Sequence, residues 1–165
     1  MPTDETRQFV AHIREYDDVL RNAADMPTDE MLRQLIRTLS RLIESATHLP
    51  DMERPSSDTE EHDIGLPDAP EDNVRELINV HLSFDLYWSA DPASPDPSLW
   101  TNSLFEDLCD TWADIHWGLE MLKVGAEASE ARAVALWRQM FVSHWGRHAA
   151  EALRALMYIE SHALR

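Results

Sequence analysis

His144 and His148 lie one helical turn apart in the segment His144-Trp145-Gly146-Arg147-His148, so on an α-helix their rings follow one another along a single face. On a wheel of roughly 100° per residue they share an arc with Val134, Trp137, Phe141, Ala152 and Ile159, an apolar stripe expected to face the interior. His81 and Asp85 form a second pair at the same spacing, on an arc with Val74, Leu77 and Ile78. Two such pairs on facing helices are how helical bundles assemble metal centres, each helix offering donors from successive turns. The ligand set expected on this pattern is His81, Asp85, His144 and His148, with Asp107 or Asp110 behind it as orienting group or base.

Two other chemistries fit the same residues. A neutral histidine buried beside a carboxylate or a main-chain carbonyl needs no ion, and hydrogen bonding of this kind is the commoner role for such rings. A histidine–aspartate pair that reaches solvent could instead move protons on an organic substrate. No His-Glu-x-x-His or paired Glu-x-x-His element is present, so the local signatures of the better-known metal bundles are missing.

Asp107, Asp110 and Asp114 fall within a roughly 60° arc of one helix, away from the stripe of Leu108, Trp112, Ile115 and Leu119. That arc reads as a solvated face. Trp117 and Met121 lie on the same side, which leaves room for a basic partner surface or a divalent ion. An ion pair with Arg147 or Arg154 would account for these carboxylates structurally. Trp100 and Trp117 are expected at the surface and most of the six tryptophans in the core. Cys109 sits between Asp107 and Asp110, which would raise a thiol pKa, so a packed thiol is expected rather than a nucleophile.

The elements that must position these groups are helices. Phe9, Ile13, Tyr16, Val19 and Leu20 recur at helical spacing from Thr3 to about Ala23, with His12 on the same stripe. Thr28 can cap a second helix through Leu32, Leu35, Leu39, Leu42 and Ile43 that ends before Pro50, giving an antiparallel hairpin. Residues of about 50–70 are acidic, carry Pro55, Pro67 and Pro70, and read as a linker. A third helix is expected from Pro70 or Glu71 to about Trp88, stopped by the proline cluster of residues 91–97. Ser103-Leu104-Phe105-Glu106 is a capping box opening a fourth helix to about Gly125. The last runs from Ser129 as far as Ala163 unless Gly146 bends it. The expected fold is all-α, an up-and-down bundle of about five main helices in one domain over residues 1–165.

Composition narrows the function classes. With 14 basic and 31 acidic side chains, a formal net charge of −17 would repel phosphate backbones and anionic membrane surfaces, so neither nucleic acid nor membrane is an expected partner. No apolar run of about 18 residues is available to span a bilayer. A single cysteine and a start without a basic-then-apolar leader suit a reducing cytoplasm. Nucleotide loops, a Gly-x-Ser-x-Gly elbow and a Cys-x-x-Cys pair are absent from the sequence.

Glu106-Asp107-Leu108 with Asp110 and Asp114, then Trp137, Phe141, the His144–His148 segment and Ala152-Leu153-Arg154-Ala155-Leu156, form a pattern that resembles a bacterial family catalogued only as a domain of unknown function, number five-zero-six-three. The resemblance is specific over roughly the last 60 residues. It implies a compact helical bundle and supplies no activity. The family's histidine after this segment is Met157 here, so no site is built on that position. The leading expectation is an acidic interaction module that binds a protein partner through Asp107, Asp110, Asp114, Trp100 and Trp117. A metal-binding or metal-dependent protein using the inward histidines and aspartates is the alternative. No particular cofactor or oligomeric state is indicated.

Overall fold

In the computed structural model, residues 2–52, 65–90, 99–124 and 129–163 are described. Helix α1 (Asp4–Asn22) starts where the Thr3 hydroxyl accepts from the Thr6 amide at 3.1 Å, and it buries Phe9, Ile13, Tyr16, Val19 and Leu20. A 3₁₀ turn, Ala23–Asp25, returns the chain into α2 (Thr28–Thr47), whose buried face is Met31, Leu32, Leu35, Leu39 and Leu42. Pro27, not Thr28, occupies the cap position of α2. The expected linker lies largely in residues 53–64, outside those described.

Helix α3 (Glu71–Glu76) continues as a π-turn over Leu77–Leu82 and stops at Ser83, which takes φ 48°, the left-handed conformation that ends helices. The third helix therefore does not reach Trp88. Leu86–Ala90 instead forms strand β1, paired antiparallel with β2 (Leu99–Ser103), Trp88 opposite Thr101 and Leu86 opposite Ser103. Burial alternates along β1, with Tyr87 and Ser89 inside and Leu86 and Trp88 outside, as a pleated strand on a bundle requires. Residues 91–98, which include the proline cluster, are not among those described.

Ser103 opens α4 (Leu104–Lys123) by accepting from the Glu106 amide at 3.2 Å. Helices α5 (Ser129–Ser143) and α6 (Trp145–Ala163) are separated at His144. Gly146 makes that break possible: any Cβ there would run into the Phe141 carbonyl oxygen and ring. Helix α4 packs against α5 and α6, α1 against α2, and α2 against α6. Trp112, Trp137 and Trp145 are fully buried, and their indole N–H groups donate to Asp17 Oδ1 (2.6 Å), the Ile115 carbonyl (2.8 Å) and the Trp137 carbonyl (3.1 Å). Gly118 lies under the Trp137 indole with no room for a side chain. Among the described residues the result is a predominantly helical bundle carrying one small hairpin of β1 and β2. No helix among the described residues is long and apolar enough to cross a membrane.

Candidate metal centre

Helices α4 and α6 meet along the face that carries Asp107, Asp110 and Asp114. Opposite them stand His144, at the junction of α5 and α6, and His148, one turn into α6. His148 Nδ1 donates to Asp107 Oδ1 at 2.6 Å, and His144 Nδ1 donates to Asp114 Oδ2 at 2.8 Å. Both rings are thereby held through Nδ1, and in the neutral imidazole Nε2 carries the lone pair. His148 Nε2 lies 3.7 Å from Asp110 Oδ2, just beyond hydrogen-bond reach. The two imidazoles sit edge to face with centroids 4.7 Å apart. Among the described residues, Asp110, His144 and His148 each offer one ligand atom such that all three atoms lie within 4.8 Å of one another.

Burial grades this cluster from inside to outside. Asp107 is 3% exposed, and its second oxygen, Oδ2, accepts from the hydroxyl of Tyr87, which reaches in from β1. His148 is mostly buried, whereas the side chains of Asp110 and His144 are close to half exposed. The hydrogen bond to Asp107 raises the His148 pKa above its ordinary value, against the opposing effect of burial. For Asp114 burial dominates and pushes the carboxyl up, partly offset by the hydrogen bond and charge of His144. Burial and then the bond to Asp107 drive the Tyr87 phenol well above its usual range, so it acts as a fixed donor.

The sequence profile of a domain of unknown function, DUF5063, matches residues 1–162. The chain belongs to the DUF5063 family. A crystal structure of protein BF1032 from Bacteroides fragilis, a structural-genomics target, superposes on this DUF5063 chain with a TM-score of 0.70 at 19% identity, covering 93% of this chain and 90% of that one. The likeness is one of fold. No curated protein gives a match to the chain.

In this DUF5063 chain the second expected pair does not join the first. His81 Nε2–H donates to the Ala24 carbonyl and its Nδ1 accepts from the Thr28 hydroxyl, each at 3.2 Å, so both ring nitrogens are already engaged. Asp85 accepts from the Ser103 hydroxyl and the Phe105 amide, each at 2.9 Å, and so secures the start of α4. The carboxylate arc is not a solvated face either. Asp107 is buried, Asp114 is bonded to His144, and Arg154, one of the two expected cationic partners, pairs with Glu151 and donates to the Trp88 carbonyl. Trp100 and Trp117 are 40% and 42% exposed, and they lie outside the cluster. Burial, more than any neighbouring charge, pushes the Cys109 thiol up to about 12, with Glu71 and Asp110 adding to it.

Tyr87 is the group that sequence reasoning missed. Its signal was the alternation in Leu86-Tyr87-Trp88-Ser89-Ala90, matched by Leu99-Trp100-Thr101-Asn102-Ser103 across a proline-rich interval.

Proposed function

We propose that this protein binds a divalent transition-metal ion through His144, His148 and Asp110. The reading is carried by the convergence of two imidazoles and a carboxylate, whose ligand atoms lie within 4.8 Å of one another. Two nitrogens and one oxygen suit zinc, manganese or ferrous iron rather than calcium or magnesium, which prefer all-oxygen shells. Asp107 and Asp114 supply the carboxylate–histidine contacts that orient metal-ligating imidazoles through the far nitrogen. A three-residue site that is half open on the Asp110 and His144 side leaves coordination positions for water and for a substrate oxygen. The lone Cys109 suits a reducing, cytoplasmic setting for such a centre.

Elemental analysis of untagged protein is the test. Near-stoichiometric zinc, manganese or iron, or a rise in melting temperature on adding one of them, supports the reading. Less than a tenth of an equivalent together with no melting shift from any of the three removes it.

A second reading rests on the hairpin. Leu86, Trp88 and Leu99 share the outer face of the sheet, each more than 60% exposed, and none of the ten strand residues is charged on a chain of net charge −17. An apolar face of this kind fits an interaction module, with the partner surface on the sheet rather than on Asp107, Asp110 and Asp114. Crosslinking in cell extract, repeated with Trp88→Ser, tests it: a captured protein that is lost with the substitution supports the reading, and capture unaffected by it counts against.

A further inference from the structure

We propose that Tyr87 is a positioning residue of the metal centre, acting on the ion through Asp107 and His148 without touching it. The inference rests on the metal-binding reading above and adds a component contributed by the hairpin.

The chain of contacts has one direction. Tyr87 belongs to β1, Asp107 to α4 and His148 to α6, and side-chain hydrogen bonds join all three. Asp107 has two oxygens and both are committed: Oδ2 accepts from the phenol and Oδ1 accepts from His148 Nδ1 at 2.6 Å. Both oxygens are turned toward their donors, and Asp107 stands outside the set of residues whose ligand atoms converge, so it acts through the imidazole. The phenol fixes how the carboxylate is turned, and the carboxylate fixes which nitrogen of His148 bears the proton. With Nδ1–H held, Nε2 is bare on the side of Asp110.

Without the phenol, Asp107 loses the contact that pins Oδ2 inside a site where Asp107 is 3% exposed. A buried carboxylate with one idle oxygen recovers a partner by rotating or by admitting water, and either movement relaxes the angle of His148. Among the described residues no phenol braces the carboxylate that holds His144: Asp114 bonds that ring at the mouth of the site. The two histidines should therefore respond differently to changes in the hairpin.

Tyr87→Phe keeps the ring and removes the donor. Tyr158→Phe, an exposed position on α6, serves as the control. Cobalt(II) is the probe, its affinity measured by competition with a chromogenic chelator, and ¹⁵N spectra of the metal-free proteins at alkaline pH report the imidazole tautomers. Expected for Tyr87→Phe is a loss of roughly 10- to 100-fold in cobalt affinity, with the His148 signals moving from a pure Nδ1–H form to a mixture and those of His144 unchanged. Tyr158→Phe should match wild type in both measurements. Wild-type affinity and an unaltered His148 tautomer in Tyr87→Phe overturn the proposal, as does a loss of affinity with no change of tautomer, which would make Tyr87 a packing residue only. Should wild-type protein bind no cobalt at all, the metal reading falls by itself, and the tautomer comparison still decides whether Tyr87 directs His148.

Discussion

Asp107 on α4 and His148 on α6 are joined Oδ1 to Nδ1 at 2.6 Å, with the carboxylate side chain almost wholly removed from water. A buried acid and a buried imidazole are each costly alone, and together they stabilise the contact between the two helices only while both remain.

Asp107→Ala should therefore destabilise the fold by roughly 3 kcal/mol, because it leaves the Tyr87 hydroxyl and the His148 Nδ1–H without their acceptor. Asp107→Asn keeps an acceptor oxygen and should lose less. Urea denaturation of the three proteins measures this. A loss under about 0.5 kcal/mol for the alanine variant would mean that water replaces the carboxylate freely.

Gly146 is demanded by a close approach. Gly146→Ala sets a methyl group against the Phe141 carbonyl oxygen and should cost about 1–3 kcal/mol through displaced backbone. Since the same break carries His144, the variant should also weaken cobalt binding. Gly65→Ala, where nothing lies within 4 Å, should leave stability unchanged. Equal melting temperatures for the two variants would contradict this account of the helix break.

His116 gives a pH dependence of defined sign. Its Nδ1 donates to the Trp112 carbonyl at 2.9 Å, its ring stacks on Trp112, and burial lowers its pKa below the ordinary histidine value. Unfolded chain then binds more protons than folded chain below about pH 6.5, so this contribution is present above that pH and is lost as pH falls toward the folded pKa. His148, whose pKa is raised, contributes in the opposite sense, stabilising below its unfolded pKa and fading as pH rises through the folded one. His116→Phe keeps the stacking and removes the titration. Relative to wild type it should gain stability steadily as pH is lowered from about 7.5 to about 5.5. Parallel pH profiles would rule out a titrating His116.

Much of this architecture was legible in the sequence, and the reasons differ by element. The stripes of α1 and α2 are long enough for a 3.6-residue period to stand out, Ser103 is a readable cap, and Gly146 marked the one place where the final helix could break. Short apolar runs carry no such period. Leu86-Tyr87-Trp88 extends a helical pattern as well as it begins a strand, and the left-handed Ser83 that separates the two is no glycine. Once the helix ends at Leu82, His81 and Asp85 are no longer one turn apart, and their pairing disappears. The inward direction of His148 was readable from its wheel, whereas His144, which the same wheel turned inward, lies at the break between α5 and α6 and is close to half exposed. The matching direction of Asp107 and Asp114 was not, because a helical face buried against histidines looks polar. Helix α4 packs on several sides: Tyr16 of α1 bonds the Leu108 carbonyl, Trp137 of α5 bonds the Ile115 carbonyl, and α6 covers the carboxylates.

A cobalt(II) titration of wild type beside His148→Ala and His81→Ala, followed by d–d absorption, bears most directly on the metal centre. One equivalent should bind to wild type and to His81→Ala, whose imidazole is engaged with Ala24 and Thr28, while His148→Ala should lose the signal. Wild-type binding by His148→Ala, or its loss in His81→Ala alone, would place the ion elsewhere and contradict the assignment.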